Sequence, residues 1–249
     1  MPGLALSTPA TVRLYLEDDH CFEVDASVVA LNGAHVAFDR TCFYPGGGGQ
    51  PPDEGSVRLP SGEVLAIVSA QADADEVVWH TAQFPPETHI LGQHVRLQVN
   101  RERRLALTRY HTVLHVLNTI ALRDYGGWIT GVQIGTQYSR IDFKLEGLSA
   151  ALCTELQDKV NAVLAANHAI RSLYLPVEEF GQRADLLRTL EARPPVSGGR
   201  VRVVEIQGFD AQACGGTHVS TTSEVGRFSI VRTENKGKIN KRLYVRLEQ

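Results

Sequence analysis

His111 and His115 are separated by three residues in TRYHTVLHVLNTI, and Cys214 and His218 by three in QACGGTHVSTTSEVG. On a helix that gap puts both imidazoles of the first pair on one side, a turn apart, where they can reach a single point. The second pair gains the same reach from a tight loop at Gly215-Gly216. Three nitrogens and one soft thiolate suit a tetrahedral zinc ion, whereas magnesium and calcium prefer oxygen. Neither pair is diagnostic alone. Two histidines among Val113, Leu114, Val116, Leu117 and Ile120 also fit a core edge, and a cysteine can be a small buried hydrophobe. Together, in a chain with 9 His and 4 Cys, they point to one Zn2+ held by His111, His115, Cys214 and His218.

The elements that must position these residues change character along the chain. Residues 11–99 contain short β-rich pieces, TVRLYL, VVALNGAHVAFD, SVRLPSGEVLAIVSA, EVVWHTAQF and HVRLQV, divided by Gly, Pro and Asp turns. From Arg101 apolar residues recur at three and four through RRLALTRYHTVLHVLNTIALRDYG, which predicts a helix ending at Gly126-Gly127. VQIGTQYSRIDFKL alternates like paired strands, with an Arg140–Asp142 ion pair expected along one of them. Ser149 is placed to cap a second helix whose stripe is Leu152, Leu156, Val160, Val163 and Leu164. Strands are expected at IRSLYLPV, VRVVEIQG, RFSIVRTE and KRLYVRLEQ, with mixed helix and Pro-rich connection over 178–195. The fold class read from this is α+β. A small β-barrel-like module over residues 1–99 precedes a two-layer α/β domain over residues 100–249, with the boundary near Asn100.

Composition sets limits on function. At 249 residues and 43% hydrophobic content the chain can bury one large core or two modest ones. The cysteines at 21, 42, 153 and 214 form no disulfide framework, which favours a reducing cytoplasm. MPGLALSTPA lacks a secretion pattern, and no run reaches the ~18 apolar residues of a membrane span. A formal charge of −3 excludes a uniformly basic surface, so DNA binding is not expected, but local charge differs. After residue 226 there are seven basic residues, Arg227, Arg232, Lys236, Lys238, Lys241, Arg242 and Arg246, against Glu234 and Glu248, a stretch suited to phosphates. A second cluster, Arg101, Arg103, Arg104 and Arg109, enters the histidine helix; it reads either as a solvated helix start or as a hold on an RNA backbone. No phosphate-binding P-loop is present, so ATP is not implied.

The His111 and Cys214 motifs resemble those of the editing domain of alanyl-tRNA synthetase and of freestanding relatives that deacylate mischarged tRNA. FYPGGGGQPPDEG, residues 43–55, resembles a third signature of that family, and the match is collinear from about residue 11 to 249. Threonyl-tRNA synthetase has a related editing domain, but the GGGGQ region favours the alanyl branch. With 249 residues there is no room for an aminoacylation domain, so a freestanding trans-editing protein is expected. The resemblance implies hydrolysis of the ester joining a wrong serine or glycine to the terminal adenosine of alanine tRNA. It implies that the acceptor end of that tRNA is the partner, and that His111, His115, Cys214 and Gln50 form the catalytic group. Gly47, Gly48, Gly49 and Gln50 would lie over the pocket, with Gln50 orienting the ester, the adenosine or a water, and Asp53 fixing the loop. Thr130 or Thr217 would recognise the serine hydroxyl, because an apolar pocket alone does not reward it. Arg109, Lys236, Lys238 and Arg242 would hold RNA without reading its bases. Trp128 and Tyr138 add bulk where substrate would lie, so specificity could have moved from serine.

Zinc there would polarise the ester carbonyl or lower the pKa of a water toward ~7. Four protein ligands leave no vacant tetrahedral corner, so the chemistry needs a fifth ligand, release of one such as Cys214, or a zinc that only organises the pocket. Two other functions remain open: a tRNA-binding protein with structural zinc, and a deacylase of another aminoacyl-tRNA or a small aminoacyl ester.

Overall fold

Strict alternation builds the first part of the molecule. In HVRLQV, Val95, Leu97 and Val99 turn inward while His94, Arg96 and Gln98 face out. The computed structural model describes residues 8–188, 196–237 and 239–248. Its first eight strands are β1 (Val12–Arg13), β2 (Glu23–Asn32), β3 (His35–Phe38), β4 (Arg40–Thr41), β5 (Gly55–Arg58), β6 (Val64–Ala72), β7 (Val78–Ala82) and β8 (His94–Val99). Six of them close an antiparallel barrel in the order β2-β3-β7-β6-β5-β8, and β1 pairs in parallel with β4. Closure leaves these six strands without an open edge. Val28, Val36, Phe38, Phe43, Val57, Ile67, Val78 and Leu97 fill the interior, each contributing about 1.5–3 kcal/mol by burial.

The chain divides into two compact units. One holds the barrel, up to Gly46 and from Pro52 to Arg104; the other holds Gly47–Pro51 and the chain from Leu105 onward. Arg104 lies wholly buried in the first unit, where its Nε donates to Asp53 Oδ1 and Oδ2 at 3.0 and 2.9 Å and its Nη2 donates to Cys42 O at 2.7 Å. Burial works against its charge, but hydrogen bonds and charge from Asp53 outweigh that and hold its pKa above the ordinary value. Asp53 Oδ2 also accepts the Tyr44 N–H at 2.6 Å, so this carboxylate does fix the loop.

The second unit begins within α1 (Arg101–Tyr125), which Gly126 terminates at φ +65° by donating its N–H to Leu122 O. It continues with β9 (Trp128–Gln133), β10 (Ser139–Lys144), α2 (Ala150–Ala165), β11 (Ile170–Pro176), α3 (Val177–Phe180), β12 (Val196–Ser197), β13 (Arg200–Ile206), β14 (Asp210–Ala213), β15 (Arg227–Asn235) and β16 (Asn240–Glu248). Ser149 Oγ accepts the Leu152 N–H at 3.1 Å and caps α2. One antiparallel sheet runs β15-β16-β10-β9; in another, β11, β12 and β14 all pair with β13. Leu107, Val113, Leu117 and Ile120 of α1 share a core with Leu156 and Val160 of α2, Ile141 and Phe143 of β10, and Leu243 and Val245 of β16. Barrel first, then an α/β region, is the α+β arrangement expected from the sequence.

Asp142 does not pair with Arg140. It faces Arg242 across β10 and β16, whose Nε and Nη2 donate to its two oxygens at 2.6 and 2.7 Å. Directly opposed residues lie closer than i,i+2 neighbours on one strand. Of the segment 178–195, α3 and a short turn at Ala184–Leu186 are helical, and 189–195 lie outside the described residues. Among the described residues no helix is long and apolar enough to cross a membrane.

Candidate metal centre

The two motifs meet in the second unit. His111 and His115 come from α1, Cys214 and His218 from the loop after β14, and one donor atom from each lies within 4.8 Å of all the others. His111 Nε2 is 3.4 Å and His218 Nε2 3.5 Å from Cys214 Sγ. Bonds of about 2.0–2.3 Å to a tetrahedral zinc imply donor separations of ~3.3–3.8 Å, so these spacings fit. The imidazole centroids lie 4.5 to 5.0 Å apart. His111 and His218 are 5% and 2% exposed; His115 and Cys214 are less completely covered.

Burial above all holds the imidazoles below the ordinary histidine value. His111 is lowered further by the charges of His115 and Arg202, and His218 by those of both other histidines and Arg202. His115, with Arg188 and Arg202 adding to burial, comes down to about 3. All three therefore stay neutral near pH 7 and keep a lone pair for a cation.

Hydrogen bonds to the outer nitrogens fix which lone pair that is. His111 Nδ1 donates to Gln50 Oε1 at 2.7 Å, and His218 Nδ1 donates to Thr112 Oγ1 at 3.1 Å, which turns both Nε2 atoms toward Cys214. Thr112 donates onward to Thr108 O at 3.0 Å. Gln50 Oε1 also accepts the Thr217 N–H at 3.2 Å, and Gln50 Nε2 donates to Thr217 Oγ1 at 2.9 Å. Thr217 Oγ1 lies 2.8 Å from Thr108 Oγ1. Arg202, on β13, clamps the cysteine loop through Nη1 to Cys214 O at 3.3 Å and Gly216 O at 2.6 Å. Gly216 has no room for a side chain, since a Cβ there would overlap the His111 ring and stand 3.0 Å from Gln50 Oε1.

Gly46, Gly47, Gly48 and Gly49 all have positive φ, from 56° to 128°, which explains a run of four glycines. Gly47 and Gln50 exchange backbone hydrogen bonds at 3.0 and 2.9 Å, and Gly49 O accepts the Ile134 N–H at 2.8 Å. Gly47 and Gly48 are exposed at the tip, whereas Gln50 is 2% exposed.

Gln50 engages His111 and Thr217, with its side chain buried beneath the turn. Thr217, fully buried, shares its hydroxyl with Gln50 and Thr108. Thr130 is exposed on β9, left between paired residues at a register shift against β10. Arg242 is committed to Asp142, and Lys236 stands 3.2 Å from Glu234. Lys238 lies outside the described residues. Arg109 is partly exposed on α1, but Arg101 lies over Phe22 at 5.1 Å, Arg103 pairs with Glu54 at 3.1 Å and Arg104 is buried. Thr108, Thr112 and Arg202 were not foreseen as supports of the site. Only the placement of each threonine three residues before a motif histidine hinted at a shared helical face.

Comparison with known proteins agrees with this geometry. Residues 201–244 match the threonyl and alanyl tRNA synthetase second additional domain, and residues 10–103 match the class II (A) tRNA synthetases. The chain is 33% identical over 242 residues to the alanyl-tRNA editing protein AlaX-M of Methanosarcina mazei, spanning 95% of this chain and 96% of that protein. For AlaX-M of Saccharolobus solfataricus identity is 32% over 234 residues, 94% of this chain and 98% of the other. The alanine–tRNA ligase of Korarchaeum cryptofilum is 37% identical over 229 residues, which are 90% of this chain and 25% of the ligase. Identity at this level, sustained over nearly the full length of both partners, means that the chain belongs to the family of alanyl-tRNA editing proteins.

Proposed function

We propose that this chain is a cytoplasmic hydrolase of mischarged aminoacyl-tRNA, acting in trans on Ser-tRNA(Ala) and Gly-tRNA(Ala) at their acceptor ends. One Zn2+ is held by His111, His115, Cys214 and His218. The observation that carries this reading is the convergence of those four donors within 4.8 Å in a chain of the editing family. When bound, the ion supplies Lewis-acid polarisation of a carbonyl or a water. Gln50 and Thr112 keep His111 and His218 in the required tautomers, and Arg202 with Gly216 fixes the loop that carries Cys214. The exposed Gly47 and Gly48 let substrate approach the backbone of the turn, and Arg109, partly exposed on α1, offers charge to an RNA backbone. Thr130, exposed on β9, is the favoured candidate to meet a serine hydroxyl, with Thr217 the other.

A deacylation panel with Ser-, Gly-, Ala- and Thr-charged tRNAs tests the reading. Zinc-dependent loss of Ser-tRNA(Ala), sparing of Ala-tRNA(Ala), and inactive His111→Ala and Cys214→Ala variants are expected. Full turnover after complete zinc removal would defeat it. Thr130→Val is expected to slow Ser-tRNA(Ala) hydrolysis selectively; equal loss on the glycyl substrate would reject hydroxyl recognition. The closed set of four protein donors favours a second reading, in which the ion only organises the pocket. That reading predicts metal and RNA binding without ester turnover.

A further inference from the structure

Gln133, Arg140, Tyr244 and Arg232 stand opposite one another on β9, β10, β16 and β15, forming one row across the sheet. Residues in such a row share a face. Arg140 Nε donates to Gln133 Oε1 at 2.7 Å, and the Arg232 guanidinium lies 4.3 Å over the Tyr244 ring. Tyr138, 52% exposed, sets its ring 6.2 Å from that of Tyr244 at 49°. A cavity of about 400 Å³ opens here, lined by Gln133, Gly135, Thr136, Tyr138, Arg140 and Tyr244 among others. Its loop is held in place: Tyr110 Oη donates to Gln137 O at 2.7 Å, and the Gly135 N–H donates to Ser139 Oγ at 3.2 Å.

The cavity adjoins the turn that serves the metal centre. Ile134, in its lining, donates its N–H to Gly49 O at 2.8 Å, and the next residue, Gln50, orients His111. Arg232 pairs with Glu234, which Lys236 also approaches, and lies over the Tyr244 ring. Arg140 has a neutral partner in Gln133 and, among the described ion pairs, no acidic one. An exposed aromatic platform beside an uncompensated cation suits a stacked base with its phosphate.

We propose that this cavity binds an unpaired base of the tRNA 3′ end, upstream of the esterified adenosine, stacked on Tyr138 and Tyr244 with its phosphate at Arg140. The proposal rests on the tRNA reading above. It is tested on the zinc-loaded chain by deacylation kinetics and by anisotropy with labelled, uncharged tRNA. Tyr138→Leu is expected to raise KM and weaken tRNA binding about 10-fold with kcat kept, and Tyr138→Phe to restore both. Making the unpaired upstream nucleotides abasic should impose the same penalty on the wild type and none further on Tyr138→Leu. Wild-type KM and affinity in Tyr138→Leu, or additive penalties on the abasic tRNA, would overturn the proposal. Should the wild type deacylate no aminoacyl-tRNA, the functional reading falls, while binding of intact against abasic tRNA still decides the cavity.

Discussion

Gln50 acts through another residue. Its carbonyl oxygen accepts the hydrogen bond from His111 Nδ1–H, so a leucine in its place frees the ring to turn and to change tautomer. Gln50→Leu is expected to lower zinc affinity 10- to 100-fold, in the range typical of such outer contacts, as read by competition with a chelator. An unchanged affinity would assign the contact to packing alone. Gly216→Ala challenges the same centre from the other side, because the added methyl would displace the His111 ring. It should lose both zinc and deacylation, while retention of tight metal binding would show that the loop yields.

At the scale of elements, the first turn of α1 is tied into the barrel unit by Arg104. Both members of the Arg104–Asp53 pair are completely buried, so removing one leaves the other charge without compensation. Arg104→Leu should destabilise the chain by about 3–5 kcal/mol in urea denaturation. A double variant, Arg104→Leu with Asp53→Leu, should recover part of that loss. A single variant within ~1 kcal/mol of wild type would mean that water reaches the site and screens the exposed charge.

For the whole molecule, stability should depend on metal and on pH. A ligand that binds only the folded state adds RT ln(1 + [L]/Kd), so zinc at about 100 times its Kd should add about 2.7 kcal/mol. That gain should vanish in His115→Ala, which keeps the fold but lacks a donor. His80 gives the pH dependence in the barrel unit. It is buried against Phe38 and Phe43, its Nδ1 donates to Val36 O at 3.2 Å, and its Nε2 accepts from Thr41 at 2.8 Å. Burial brings it down to about 4, so the unfolded chain takes up a proton that the folded chain refuses. Its contribution is fully present above pH ~6.5 and is lost as pH falls toward about 4, at ~1.4 kcal/mol per pH unit and about 3 kcal/mol in all. Urea midpoints of wild type and His80→Gln across that window check this, since equal slopes would place the titration elsewhere.

What the sequence determined by itself was local. The three-residue gap between His111 and His115, the Gly-Gly loop before His218, the alternation in β8 and the Ser149 cap all follow from backbone periods of two and 3.6, which need no knowledge of distant partners. Tertiary structure alone decided that Gln50 serves His111 across 61 residues, that Thr112 serves His218 across 106, and that Arg104 and Arg242 each meet a carboxylate. A buried polar group must find a partner, and which partner it finds depends on strand register and helix packing between segments far apart in the chain.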